Sequence, residues 1–521
     1  MGNSLDRWGF ALLIVAIGSA LALCMPALRG QALALDEQVS FFSSGAPTLA
    51  ELWLRCEQVA VLPPVSHFLE RAALAAGGRS ETVFRIPSLA AYVIAVFLSW
   101  WMGRIAGGTF CGGLTALLVA WHPGVLDEVR FARCYGLVLC LSALSTALLL
   151  QWRINPHRRR MLVLWGLTAA ALLWTHYLAA PLLAAQAIIL IATIWKLPRS
   201  RRSSVSWAGF AVIVGISLSC VPLGPAILRL SEWGRLIDFQ RSPASKFQAV
   251  GAVWTLLALS TVIALQIVAV FFPREKKETP GPRGPLNPPM WVVLTLWLLP
   301  LALVGLMAVT STPMLASPRY RVMIAPASAL AVSLALTRAA APLSSLIVTA
   351  SLLSATTLLQ GSTPFHAARL GNPVEQEWKR IGLQLAPHLA DPSSIVFTQT
   401  GLAEGILLPL LPENERLKKY VACRLGPFYT ASDQAVPIPL LWEGRDPLRR
   451  IYQSKLSSAG VREVWIAGAS DTDLNAQSVE TFAAFVLSEG FEQASVENRL
   501  GITLFRLQRP ENRSVEAGHR K

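Results

Sequence analysis

The chain has 521 residues, 53% of them hydrophobic and only 15% charged, with a formal net charge of +15. Mean hydropathy is +0.47. A soluble globular chain carries nearer a quarter charged residues, which argues against an ordinary cytosolic enzyme, and 17 tryptophans with 20 phenylalanines argue against a disordered chain.

The first apolar run, residues 8–28, follows a short polar start containing Arg7. It is long for the apolar part of a signal peptide, and Ala20-Leu21-Ala22 is a poor cleavage site. We read it as an uncleaved first helix. Further apolar runs fall at 83–103, 108–121, 135–152, 161–175, 178–195, 205–228, 247–272, 291–310, 321–337 and 342–360. This predicts a mainly α, polytopic membrane helix bundle of about 11 transmembrane helices, the 161–175 run being short.

The loops alternate in chemistry. Arg104, then Arg153 with Arg158 to Arg160, then Lys196 with Arg199, Arg201 and Arg202, then Arg274, Lys276, Lys277 and Arg283, then Arg338, fill every second loop. The positive-inside rule puts these loops in the cytoplasm, and this clustering displaces nucleic acid as the reason for the net charge. Loops 29–82, 122–134, 176–177, 229–246 and 311–320 then face outward. An odd helix count gives a multi-pass protein of the cell (inner) membrane, with the N-terminus cytoplasmic and the C-terminal part periplasmic or otherwise extracytoplasmic.

After residue 361 the chain becomes more polar. Residues 374–389 and 476–489 read as helices, 394–398 and 462–467 as strands, and 495–498 with 501–507 as a closing strand pair. The expected organisation is a membrane module at 1–361 with a long outer loop at 29–82, a soluble α/β domain at 362–510 and a disordered tail at 511–521. Cys24, Cys56, Cys111, Cys134, Cys140, Cys220 and Cys423 are scattered without zinc spacing, so neither a disulfide nor a structural metal is expected. No inverted repeat of the transporter type is visible.

The first outer loop is too long for a connector. It opens with Asp36-Glu37, either two solvated acids at a helix end or a functional site at the membrane face. It continues with Pro63-Pro64-Val65-Ser66-His67, whose diproline should stop one helix and direct the next. Arg85-Ile86-Pro87-Ser88 starts the second helix. Glu128, then Ala132-Arg133-Cys134-Tyr135, then His176-Tyr177, then Arg319-Tyr320-Arg321 before a helix with Pro326, complete a set of charged and aromatic groups at outer helix ends. Each has a bland alternative: Arg85 as an interface anchor, Arg133 as a partner of Asp127 or Glu128, His176 as a hydrogen-bonded turn residue. Trp53, Trp121 and Trp233 suit an interfacial belt, with one of them a candidate for stacking on a sugar.

Taken in order, these segments resemble glycosyltransferase family 39, which contains protein O-mannosyltransferases and lipid A aminoarabinose transferases and has the membrane-embedded GT-C fold. The match runs from about residue 30 to about 330. The resemblance implies a catalytic role for Asp36, with Glu37 as its usual neighbour, and matches Arg133 with Tyr135 and Arg319 with Tyr320 to the family's arginine–tyrosine elements; Glu128 is a second acid on our own reading of the residues. Phosphate recognition falls to Arg85, Arg133, Arg319 or Arg321, and His67, Tyr135, His176, Tyr177 and Tyr320 are candidate substrate contacts. Two positions depart from the pattern: Leu62 precedes the diproline where some relatives carry a basic residue, and Cys134 stands where proline is common.

The activity so implied is transfer of a sugar from a polyprenyl-phosphate donor to an acceptor hydroxyl of a lipid, glycan or protein on the outer face. Asp36 would act as base, since a partly desolvated carboxylate is a stronger one. Arginine forks would meet the leaving phosphate. One base and a charged leaving group suffice for inversion; Glu128 keeps a retaining route open. No cofactor is required, a divalent ion shared by Asp36 and Glu128 stays open, and the expected partners are donor, acceptor and membrane lipids, without nucleic acid. The rival readings are a transporter or flippase for lipid-linked glycans and a non-catalytic subunit of envelope-glycan assembly.

Overall fold

The computed structural model describes residues 2–57, 62–228, 250–271, 288–310, 318–359, 373–399, 425–430, 435–438, 446–458, 460–470 and 473–510. Trp233, the basic cluster from Arg274 to Arg283, Cys423 and the expected tail at 511–521 lie outside them.

In chain order the helices are α1 (Gly2–Cys24), α2 (Leu35–Ser44), α3 (Leu49–Arg55), α4 (Val65–Gly77), α5 (Glu81–Gly107), α6 (Thr109–Ala120), α7 (Pro123–Val129), α8 (Tyr135–Ile154), α9 (Arg159–Leu173), α10 (Ala180–Trp195), α11 (Arg199–Ser219), α12 (Val250–Phe271), α13 (Met290–Thr310), α14 (Ala325–Ala339), α15 (Pro342–Leu359), α16 (Pro373–Ala390), α17 (Pro427–Thr430), α18 (Asp446–Leu456) and α19 (Asp473–Ser488). The strands are β1 (Ser394–Gln399), β2 (Val436–Ile438), β3 (Glu463–Ala469), β4 (Glu492–Arg499) and β5 (Ile502–Gln508). The chain forms two compact units. One holds Met1–Gln31 with Pro47–Leu370, the other Ala32–Ala46 with Gly371–Lys521.

In the first unit every expected apolar run lies on a helix. Among the described residues seven helices are long and apolar enough to cross a membrane: Ser4–Cys24, Glu81–Gly107, Tyr135–Ile154, Tyr177–Trp195, Arg199–Leu228, Met290–Met307 and Arg319–Ala339. The helices α6 and α7, bent by 58° at their break, make an eighth if they count as one span. Thr255–Ile267 within α12 and Pro342–Thr356 within α15 are shorter apolar stretches, and α9 has 15 residues.

Glycine sets the closest approach. A Cβ on Gly136 of α8 would run into the Ser88 carbonyl of α5, and one on Gly112 of α6 would meet the Trp100 carbonyl at 2.5 Å. The Ser88 hydroxyl donates to the Val129 carbonyl at 2.9 Å, so the α5–α8 contact also holds the end of α7. We expect Gly136→Val to abolish correctly folded protein, since backbone cannot yield as a side chain can. Detergent size-exclusion of a fluorescent fusion reads this directly; a native monodisperse peak would contradict it. Deeper in the bundle Trp165 donates to Gln186 at 2.8 Å, and Gln186 donates to Ser145 and Thr146 at 3.0 and 3.1 Å, tying α8, α9 and α10 through buried polar groups.

The second unit is an α/β domain with strand order β2-β1-β3-β5-β4. The strands β2, β1 and β3 are parallel, while β5 and β4 join antiparallel. Period-two alternation divides the core. Val464, Ile466, Phe505 and Leu507 face a cluster with Tyr452 of α18 and Phe482 of α19. Trp465, Ala467, Ile502 and Leu504 face Trp378, Ile381 and Leu385 of α16. The strands and helices expected from the tail all form; β2, α17 and α18 are additional.

The long outer loop does not behave as one piece. Sequence boundaries put all of 29–82 with the membrane module, whereas 32–46 belongs to the α/β unit. The reason is a pair of long-range contacts: the Phe41 ring meets Phe428 edge-on at 4.9 Å, and the Tyr429 hydroxyl accepts the Leu33 N–H at 2.6 Å. Both partners come from α17, far along the chain.

Candidate functional site

In the first unit three separately read segments converge. Pro123 opens α7, which carries Glu128 near its end. Arg133 and Tyr135 stand where α8 begins, His176 in the turn after α9, and Arg319 and Tyr320 in the 3₁₀ segment Pro318–Ile324 that precedes α14. The His176 ring lies 5.8 Å from that of Tyr135 and 5.8 Å from that of Tyr320. Arg319 Nε is 4.0 Å from Glu128 Oε1.

The charges act on one another. Burial, with the Arg133 and Arg319 cations adding to it, pushes His176 down to about 4. His176 Nδ1 accepts the Leu178 N–H at 3.1 Å, which leaves the ring proton on Nε2. Burial pushes the Cys134 thiol up to about 12; Arg133 opposes this, while Glu70 and Glu128 add to it. The site is thus a mixed field of carboxylates and arginines around an aromatic cluster, with a neutral histidine inside it.

The neutral His176 has a pH consequence. Its folded pKa lies below the ordinary value of about 6.5, so the unfolded chain binds the proton first. Stability is whole above about 6.5 and falls as pH drops toward 4, by about 3 kcal/mol over that window for this one group. Thermal unfolding in detergent should show a slope between pH 4.5 and 6.5 that His176→Gln flattens; an unchanged slope would place the proton elsewhere.

The structure also brings in a residue that sequence reading passed over. His67 Nδ1 and Glu70 Oε2 lie 3.0 Å apart on α4, with side chains 1% and 3% exposed. The His-x-x-Glu spacing on a helix was the available signal. The diproline does set the start of α4: Pro63 and Pro64 are buried and Pro64 caps the helix. Trp53 packs on Trp174, centroids 5.6 Å apart, and Val65 N–H donates to the Trp174 carbonyl at 3.3 Å, so α3 and α4 seat on the turn that carries Tyr177. The Tyr177 hydroxyl is buried without a hydrogen-bond partner among the described residues. Trp121 donates to Ser19 at 2.9 Å. Arg321 is half-buried in the same 3₁₀ segment as Tyr320.

Arg85, one of the arginines read as candidates for the phosphate, meets backbone carbonyls. It is 2% exposed, and its Nη1 donates to the Ala27 and Gln31 carbonyls at 3.2 and 2.8 Å. It pins the chain as it leaves α1.

Asp36 and Glu37 lie in the second unit, in the first turn of α2, where negative charge meets the positive end of the helix dipole. Glu37 is fully buried, and its Oε2 accepts the Ala34 N–H at 2.9 Å. It therefore secures the helix start, and Asp36, half-buried, is the more accessible carboxylate of the two. Among the described residues no group of three His, Cys, Asp or Glu side chains is arranged to hold a metal ion.

No family model matches the sequence, and no curated protein matches it significantly. Solved structures do resemble it. ArnT from Cupriavidus metallidurans, bound to undecaprenyl phosphate, superposes with a TM-score of 0.55 at 13% identity, over 95% of this chain and 97% of that one. The archaeal oligosaccharyltransferase AglB from Archaeoglobus fulgidus, in complex with an inhibitory peptide and a dolichol-phosphate, gives 0.55 at 11% identity, over 96% of this chain and 74% of that one. The Archaeoglobus fulgidus oligosaccharyltransferase in complex with Zn and sulfate gives 0.52 at 13%, over 87% and 67%. The chain therefore has the GT-C fold of membrane glycosyltransferases. At these identities the likeness is one of fold and does not reach to family 39 itself.

Proposed function

We propose that this protein is a membrane glycosyltransferase that moves a sugar from a polyprenyl-phosphate donor to an acceptor hydroxyl on the outer face of the membrane. The observation that carries the reading is the meeting, in a GT-C fold, of Glu128, Arg133, Tyr135, His176, Arg319 and Tyr320 from three distant chain segments. Solved proteins of this fold hold undecaprenyl phosphate or dolichol-phosphate.

In the proposed reaction the acceptor oxygen attacks the anomeric carbon of the donor. Its proton passes to the Asp36 carboxylate, and the bond to the phosphate oxygen breaks. The polyprenyl phosphate leaves with the bonding electron pair. Arg133, Arg319 and Arg321 would stabilise that growing negative charge, because guanidinium groups fit phosphate oxygens and stay charged when half-buried. The neutral His176 would donate its Nε2 proton as a hydrogen bond rather than add another cation. One base and one charged leaving group imply inversion. The loops with Arg158 to Arg160 and with Lys196 to Arg202 would lie in the cytoplasm, and the α/β unit outside.

The test is donor consumption by purified protein in lipid, across a panel of polyprenyl-phosphate sugars, beside Asp36→Asn. Consumption of one donor by the native protein alone supports the reaction class and names the sugar. Failure of every donor, with crude membrane acceptors present, overturns it and favours a transporter or an assembly subunit.

A further inference from the structure

Between Glu128 and Glu232 the chain holds no acidic residue. Eight lysines and arginines gather within that stretch at the turns 153–160 and 196–202. The first turn leads from α8 to α9, the second from α10 to α11. Packing brings the two turns together. Arg153 Nε, near the end of α8, donates to the Thr193 hydroxyl of α10 at 3.2 Å. Arg159 Nη2 donates to the Ser204 hydroxyl at 2.9 Å, and two turns further on a Cβ at Gly166 would run into Val212, so α9 and α11 start side by side. Arg202 Nη2 reaches back to the Trp195 and Leu197 carbonyls at 2.7 and 3.1 Å.

The partners in these bonds are all neutral. Among the described residues none of the eight cations forms an ion pair with a carboxylate. Packed helices lie about 8–10 Å apart, within the Debye length of about 10 Å at 0.1 M salt, so the cations repel one another. Arg153 and Arg202 are half-buried and the other six are exposed. The hydrogen bonds thus hold three guanidinium groups in place and neutralise none of them. An anion facing the patch relieves the repulsion and meets arginine forks already oriented.

The surroundings say which anion. Trp195 at the end of α10 and Trp207 in α11 are 71% and 70% exposed, and Phe210 and Leu218 carry an exposed apolar surface on along α11. Such a surface suits lipid, with tryptophan at headgroup level. A soluble anion has no use for it. We propose that the turns 153–160 and 196–202 form a binding site for the phosphate headgroup of an anionic phospholipid, whose acyl chains lie along α11. This rests on the chain crossing a membrane and is independent of the glycosyl-transfer reading.

The experiment uses the full-length protein in detergent, with phosphatidylglycerol as the anionic probe, phosphatidylcholine as the zwitterionic one and inorganic phosphate as the bare anion. Native mass spectrometry counts retained lipid, and thermal unfolding reads its effect. Phosphatidylglycerol should be retained in preference to phosphatidylcholine and should raise the unfolding midpoint, more so at low salt. Arg159→Gln with Arg202→Gln should weaken phosphatidylglycerol binding about 25-fold, at about fivefold for each cation near the headgroup. Arg450→Gln with Lys455→Gln removes the same charge from the exposed side of α18 and should leave that binding unchanged. The lipid comparison on the native protein decides the matter even where the arginine variant does not fold. Equal retention of the two lipids leaves the cations as topology signals alone and overturns the inference. A midpoint raised as far by inorganic phosphate as by phosphatidylglycerol overturns it in favour of a bare-anion site. Equal losses in the two double variants overturn it in favour of a net-charge effect.

Discussion

Asp36→Asn is expected to abolish sugar transfer, with kcat falling about 10²–10⁴-fold while the protein folds as before. The size follows from the role, since a positioned general base contributes about that much. The structure makes the second half of the expectation reasonable. Asp36 is only half-buried, and the helix start is secured by the neighbouring Glu37, whose Oε2 holds the Ala34 N–H at 2.9 Å. The amide keeps the shape and removes the proton acceptor. Glu37→Gln makes the contrasting variant: it should lower thermal stability, by about 1 kcal/mol for a weakened cap, and spare the chemical step. Turnover of Asp36→Asn at the native rate, measured by donor consumption, would remove Asp36 from the chemistry.

The second large effect is expected at Arg319. Loss of one preorganised cation at a leaving phosphate costs about 10²–10³-fold, so Arg319→Ala should lower kcat/KM for the donor by that factor. The rival account is loss of the pair with Glu128. At 4.0 Å, with side chains 33% and 16% exposed, that pair carries little energy, and an exposed ion pair accounts for about fivefold at most. Glu128→Gln separates the two accounts, because it breaks the pair and keeps the cation. If phosphate is the partner that matters, Glu128→Gln retains donor use and Arg319→Ala loses it. Equal losses in both would point to the pair as a structural contact and move phosphate recognition to Arg133 or Arg321.

Two variants at Asp36 and Arg319 probe residues from different compact units. Asp36 stands in the α/β unit and Arg319 in the helical one. In the sequence pattern both belong to a single set of outer helix ends. The pattern was right about which groups lie near helix termini, because termini follow from local rules: Pro123 opens α7, Ser80 caps α5 through the Val83 N–H at 3.2 Å, and Pro64 starts α4. It could not tell what each arginine meets in the fold. Arg85 reads like Arg133 in sequence, yet Arg85 is bound to the Ala27 and Gln31 carbonyls and Arg133 lies in the field of His176 and Cys134.

Apolar periodicity and loop charge were enough, by themselves, to determine a helical membrane protein with a polar α/β tail, and to locate each apolar run on a helix. Those properties depend on how many apolar residues follow one another, and on whether they alternate, which the chain states directly. Tertiary structure decided the rest. It decided how many helices are long enough to span, since α6 and α9 are cut short by the turns that follow them. It decided that His67 has Glu70 as its partner, and that His176 lies between Tyr135 and Tyr320. It decided that the segment bearing Asp36 belongs with Phe428 and Tyr429, nearly 400 residues away along the chain. Such pairings depend on which surfaces close over one another after the helices form, and no spacing within a single segment records that.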